Sequence, residues 1–409
     1  MKGVVIEMSK AGTNLRTRYR RAVKARDKLL SKIRKARDAG NTHRLIELER
    51  LYLNSYHAKF TATVIANRKL KPHLRVPTCQ IPAIAASLNP WEGTDEPVTV
   101  YAKPKKDKPN DCRLIYEFGI RNRALQYLTQ ELLSSVAQPR PYQFLLGGGR
   151  DAAGKAVQQN LISGYVWIAH MDVQNFYPSF DGSRLAQFLP VDERVVRHVL
   201  LPRHLNLVPG GTLAHPYGNC SNPTEAALDP NYLWEKLAES FAFDPRQGIP
   251  QGSAASPYVA ELVLSAIDLP QCGRICIFAD NILLMAVTEI DLQAMMKALC
   301  SALECHPVGE LWLDLKCATH ASKGFDFLGY RISAENSKVR IEPSSENIKD
   351  FNFEFNRMLT RFNKTGLSPK ICHGHARRSR RYVRGWCAAF SLWDGVSDWK
   401  AAALKKIPY

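Results

Sequence analysis

No apolar run in this sequence approaches the ~20 residues that a membrane-crossing helix needs, so no membrane partner is expected. The N-terminus, MKGVVIEMSK, lacks the apolar stretch of a secretory signal. The ten cysteines include no CxxC pair. Cys272 and Cys276 sit inside an apolar run, with no second pair to complete a zinc spacing. Reduced thiols and a cytoplasmic location follow as expectations. Internal repeats and low-complexity tracts are missing as well. With 45% hydrophobic and 23% charged residues among 409, long disorder is excluded. The chain is long enough for one multi-lobed molecule or for two to three domains.

Acidic residues are scarce at both ends. Residues 1–75 hold 20 Lys/Arg against 5 Asp/Glu, a net +15. Residues 357–409 hold 12 against 2, a net +10, which leaves −7 of the total +18 for residues 76–356. Two basic ends around a slightly acidic centre suit a polyanion gripped at both ends, although basic helices are also ordinary solvated faces.

The first segment reads as a helical hairpin. Leu15, Tyr19, Val23, Leu30 and Ile33 recur at near-helical spacing, Gly40 offers a stop, and Asn41 or Thr42 can cap a second helix with Leu45, Leu48, Leu51 and Tyr52 as its stripe. The two prolines of LKPHLRVP (70–77) mark a boundary. Strands are expected at 98–102 and 112–118, a helix over 124–136, and a buried strand over 165–173 that carries Asp172. Residues 202–248 are rich in Pro, Gly and Asn and read as an irregular excursion with a short helix near Tyr232–Phe241. Pro257 opens a helix to Asp268. Two apolar runs over 274–287 join at Ala279-Asp280-Asn281, a hairpin signature.

Asp172 closes an apolar strand and Asp280 lies at an apolar hairpin tip, where a carboxylate is costly unless a cation pairs with it. Magnesium takes carboxylate oxygens and keeps positions open for phosphates and water. In a two-metal phosphoryl transfer, carboxylates from different strands must converge. GIPQGSAASP (248–257) has two glycines that let backbone approach a ligand closely, and it leads into a helix. Each pattern alone also fits a turn, a cap or an ordinary loop.

Taken in order, these segments resemble the reverse transcriptases, specifically the free-standing bacterial type associated with phage defence and related to group II intron and retron enzymes. MDVQNFYPSF (171–180) looks like the family's first palm motif, GIPQGSAASP like its nucleotide-contacting motif, and FADN (278–281) like the hairpin usually ending in two aspartates. LDLK (313–316) and FDFLGY (325–330) are similar to the lysine-bearing segment and the primer grip. The basic turn Lys103-Pro104-Lys105-Lys106 with Arg113 resembles the fingertip strands, and RRYVRGWCAAFSLWDG (380–395) resembles a bacterial thumb. The likeness covers roughly residues 98–335. The free-standing type is inferred from what is missing after FDFLGY: room for maturation and endonuclease regions, a retron-type Val-Thr-Gly element, and an RNase H-like acidic set.

The resemblance implies an α+β right-hand polymerase with fingers, an antiparallel-sheet palm, a helical thumb and a basic helical N-terminal extension. The expected boundaries are 1–75 for the extension, 76–340 for fingers and palm, and 341–409 for thumb and tail. It implies RNA-directed DNA synthesis with Mg2+, deoxynucleoside triphosphates, a DNA product and a dedicated non-coding RNA, in antiviral defence. Asp172, Val173 and Asp280 are the implied metal ligands, with Asn281 beside them and Lys316 as a general acid. Lys105, Arg113, Tyr177 and Gln251 would contact the nucleotide, Tyr177 packing under the sugar. Phe327, Leu328 and Gly329 would seat the primer end. Tyr177 as plain core, and Lys316 as a solvated lysine, are the plainer alternatives. Asn281 departs from the family's second aspartate, keeping an oxygen ligand but losing a charge. Template-independent or protein-primed synthesis on the same fold, a non-catalytic RNA-binding relative, and self-association into a homo-oligomer stay open.

Overall fold

Gly40 stands at φ 64° and stops the first helix, α1 (Lys2–Asp38), at a point where a Cβ would be strained. The Asn41 side chain accepts the Arg44 N–H at 2.9 Å and opens α2 (Thr42–Asn54). The expected hairpin is in fact three helices. Ser55 accepts the Ala58 N–H and starts α3 (Tyr56–Lys69), because a serine side chain competes for backbone donors and favours a cap over a helix interior. Of the stripe expected on α2, Leu48 and Tyr52 are buried, whereas Leu51 is exposed.

The computed structural model describes residues 2–104, 112–210, 244–268, 270–336, 338–363 and 368–408. The short helix expected near Tyr232–Phe241 lies outside them. After α3 come α4 (Ile81–Ser87), β1 (Val98–Pro104), β2 (Cys112–Glu117), α5 (Ile120–Val136), α6 (Gly149–Ile162) and β3 (Trp167–Val173). Next are α7 (Gly182–Phe188), α8 (Glu193–Leu200), β4 (Leu207–Pro209), α9 (Ser256–Leu264), β5 (Gly273–Phe278), β6 (Asn281–Ala286) and α10 (Glu289–Glu304). The rest is β7 (Leu313–His320), β8 (Phe325–Phe327), β9 (Tyr330–Glu335), β10 (Lys338–Pro343), α11 (Ser345–Leu359), α12 (Pro369–Ala389) and α13 (Val396–Lys405).

The chain divides into two compact units. One consists of Met1–Arg140, Asn175–Ala266 and Glu304–Leu311; the other consists of Pro141–Gln174, Ile267–Leu303 and Trp312–Tyr409. In the first, Ala22 of α1 is buried with Phe60, Val64, Ile81 and Ala85. The Arg26 guanidinium pairs with Glu131 of α5 at 2.7 Å, and the Tyr52 hydroxyl donates to the same carboxylate at 2.9 Å. The basic N-terminal helix is therefore built into this unit's core. β1 pairs antiparallel with β2 and parallel with β4.

In the second unit a four-stranded sheet has the order β5-β6-β3-β7, all neighbours antiparallel. Residues Ile282 to Ala286 of β6 are wholly buried, the continuous apolar run of a strand covered on both faces. Ile168 of β3 packs with Cys276, Leu283 and Met285. Full burial of each large side chain contributes about 1.5–3 kcal/mol, so the interior strands are held firmly. A second sheet, β10-β9-β8, packs Phe325, Phe327, Tyr330 and Ile332 into that same core. Helices α11 to α13 form a separate cluster around Phe351 and Phe355. Trp386 and Tyr382 stand against Phe351, with ring centroids 4.6 and 5.6 Å away, so both pack with the core of this cluster.

Candidate active site

Asp172 ends the apolar part of β3 and is flanked in register on both sides. Asn281, the first residue of β6, lies opposite it on one neighbour, and Asp314 of β7 lies opposite it on the other. Directly opposed residues of antiparallel strands share a face, so an amide and two carboxylates form one row across three strands. Deeper along the sheet that face is apolar, with Ile168, Leu283 and Met285 buried. The polar groups gather at the open end because only there can their charges stay solvated.

The ladder between β3 and β7 shifts register between His170 and Met171, leaving Lys316 as the extra residue of a bulge. Bulges re-aim side chains. Here the Lys316 ammonium lies 3.3 Å from Asp172 Oδ2 and 4.0 Å from Asp314 Oδ2. Gln174 Nε2 donates to the other Asp314 oxygen, Oδ1, at 2.6 Å.

Asp280 belongs to a two-residue connection, Ala279-Asp280, closed by the pair Phe278 and Asn281. Ala279 takes φ 56°, a left-handed conformation that costs a residue with a Cβ roughly 1–2 kcal/mol. The hairpin tip is thus one residue tighter than the sequence suggests, and Asn281 begins the strand. The Val173 N–H donates to the Asp280 carbonyl at 3.0 Å, tying β3 to the hairpin. Asn281 Nδ2 donates to Asp280 Oδ1 at 3.1 Å, and Asn281 Oδ1 meets His170 Nε2 at 3.2 Å. Burial pushes the His170 pKa down, partly offset by its bond to Asn281 and the nearby Asp172 charge. A neutral ring donating from Nε2 satisfies the Asn281 carbonyl.

Phe327 is buried and sets its ring edge-on to His170, with centroids 5.4 Å apart. Leu328 and Gly329 form the two-residue turn between β8 and β9, at φ 50° and 82°. Positive φ at both turn positions matches the twist of a tight hairpin. Arg150 donates to the Leu328 carbonyl at 3.4 Å, and Asn347 donates to that of Gly329 at 3.1 Å. The trio expected at the primer grip is therefore a braced turn whose first residue touches His170.

The remaining residues belong to the first unit. Arg113 and Lys103 are exposed and directly opposite on β2 and β1. Like charges so placed repel unless an anion lies between them. Lys105 lies outside the described residues. Gln251 is fixed through its backbone, its carbonyl accepting the Tyr116 N–H at 2.9 Å. Both flanking glycines are required by close approach. A Cβ on Gly248 would stand 2.0 Å from the Tyr177 carbonyl oxygen, and one on Gly252 would stand 2.6 Å from that of Tyr116. The Tyr177 carbonyl accepts the Ile249 N–H at 2.9 Å, and its side chain is half-buried.

Sequence reading did not single out Asp314 or His170. The period-two pattern of LDLK could have found Asp314, since it puts Asp314 on the same face as Lys316. His170 stands two residues before Asp172 by that same alternation. Among the described residues, no three His, Cys, Asp or Glu side chains converge as a ready metal cage. Magnesium bound through one or two carboxylates, with waters and substrate phosphates completing its shell, needs no such cage. The half-exposed carboxylates Asp172 and Asp280 fit that mode.

No protein-family model matches this chain, and no curated protein matches it. Two solved structures are similar to it at 12% identity. One is telomerase from Candida albicans in complex with a fragment of telomeric RNA, with a TM-score of 0.37 over 89% of this chain. This chain spans 66% of the length of that telomerase chain. The other is the Sicinivirus 3Dpol RNA-dependent RNA polymerase, with a TM-score of 0.38 over 77% of this chain and 69% of that one.

Proposed function

We propose that this chain is an RNA-directed DNA polymerase that extends a primer with deoxynucleoside triphosphates and works with an associated RNA. The observation that carries this reading is the row at the open end of the β5-β6-β3-β7 sheet. Asp172 and the Asp280 hairpin are joined there by backbone and amide bonds, with the Lys316 ammonium against Asp172.

Asp172 and Asp280 would hold Mg2+, with the Val173 carbonyl assisting. Bound there, the ion neutralises charge on the reacting phosphates and lowers the pKa of an attacking hydroxyl. The primer 3′-oxygen forms the new bond to the α-phosphorus as the bond to pyrophosphate breaks. Lys316 is placed to give a proton to the leaving pyrophosphate, whose negative charge then needs no further counter-ion. Gln251 and Arg113 would contact base and phosphates, and a ring at Tyr177 under the sugar would select against a 2′-hydroxyl. Phe327, Leu328 and Gly329 would carry the primer end on their braced turn. The exposed basic face of α1 would track RNA phosphates.

The test is incorporation of labelled deoxynucleotides on an RNA template with magnesium. Asp172→Ala and Asp280→Ala should each lower the rate by at least about a hundredfold, through loss of charge stabilisation and positioning. Undiminished synthesis by either variant would overturn the assignment.

A further inference from the structure

The pair of Asp172 and Asp314 calls for a cation. Two carboxylates directly opposite on neighbouring strands repel, and here they share the solvated end of one sheet face. The chain answers with its own cation. A register shift places Lys316 where its ammonium reaches Asp172 at 3.3 Å and Asp314 at 4.0 Å. The ammonium is 47% exposed on a flexible four-carbon stem, so it can leave without disturbing the strand. Gln174 orients Asp314 through Oδ1, while the ammonium lies by Oδ2. On the far side of Asp172, Asn281 brings no charge and spends its amide on Asp280.

We propose that Asp314 is a carboxylate of the divalent-cation site, paired with Asp172, and that Lys316 holds the cation's place between them until the ion arrives. This deepens the polymerase reading and rests on it. Displacement of the ammonium by the ion frees the lysine for the pyrophosphate, so one event both loads the site and readies the proton donor. An ion held by Asp172 and Asp314 would sit with two carboxylates from separate strands and take its remaining ligands from water and phosphate, the arrangement magnesium favours.

The probe is Mn2+, titrated into the full chain without nucleotide and followed by the electron paramagnetic resonance signal of the free ion. Asp314→Asn should weaken one Mn2+ site by about tenfold or more, as loss of a group that supports a metal site does. Asp314→Glu should retain it, and Lys316→Met should tighten it, because the competing cation is gone. Thermal melts of each variant establish that it is folded. Unchanged affinity in Asp314→Asn, no tightening in Lys316→Met, or no Mn2+ binding by the natural chain would overturn the proposal. If Asp314→Asn keeps both Mn2+ binding and incorporation while Asp172→Ala loses incorporation, this inference fails and the polymerase reading stands. If Asp172→Ala also keeps incorporation, the reading itself fails.

Discussion

The Asn281 amide donates to the carboxylate of its chain neighbour Asp280, Nδ2 to Oδ1, over 3.1 Å. An aspartate at 281 could not make this bond. It would instead set a second negative charge beside Asp280, and His170 would face a carboxylate in place of an amide carbonyl. Asn281→Asp should therefore cost about 1 kcal/mol of stability in chelator, from one lost hydrogen bond and a new repulsion. Added Mn2+ should restore it. Denaturant unfolding with and without metal measures both effects, and equal stability in the two buffers would show that the amide does not position Asp280.

On α1 the exposed residues Arg16, Arg20, Lys24, Lys28, Lys32 and Lys35 follow one another at steps of four, then three. Like charges at that spacing weaken a helix, so the stripe needs a polyanion to offset its own repulsion. Replacing Arg20, Lys24 and Lys28 by Gln should reduce the salt slope of single-stranded RNA binding by about 2, at roughly 0.7 per phosphate contact. Fluorescence anisotropy over a salt series reads the slope. Removing the helix outright is a poorer test, since Ala22, Leu30, Ile33 and Ala36 belong to the buried core.

His306 is buried with both ring nitrogens engaged, Nε2 donating to the Val263 carbonyl at 3.0 Å and Nδ1 accepting the Val308 N–H at 3.2 Å. Burial pushes its pKa below the ordinary 6.5, and burial does the same to His170 and His204. The unfolded chain then protonates first as pH falls. Stability should hold above about pH 6.5 and decline below it through the depressed folded values, by no more than about 1.4 kcal/mol per pH unit for each histidine. Unfolding free energies at about pH 7.5 and about pH 5.5 should differ less for His306→Gln than for the natural chain. An equal decline in both would place the acid sensitivity elsewhere.

The places of Asp172 and Asp280 were legible because a single acid interrupts an apolar run in each case, a local contrast that no neighbour can mask. Gly248 and Gly252 were legible as points of close approach, although the Tyr177 and Tyr116 carbonyls they approach were not. Asp314 escaped because its meaning lies in the strand it faces, and cross-strand register is a tertiary property. The bulge at Lys316 left no composition signal at all. Leu328 at φ 50° also gave none, since leucine is a poor residue for that conformation and only the following Gly329 hints at the turn. The break at Ser55 was hidden by apolar periodicity that runs on across it, while one side-chain cap decides the local outcome.

The order β5-β6-β3-β7 puts the last strand to be synthesised beside the first of the four. A nascent chain paused before Leu313 can pair β5, β6 and β3, but one side of β3 is then a bare strand edge, open to pairing with other chains. Such a product has Asp172, Asp280 and Asn281, yet no Asp314 or Lys316 to complete the row. A truncated translation product is thus unfinished at its acidic end and adhesive along one side, and the ribosome must pass His320 before either fault is mended.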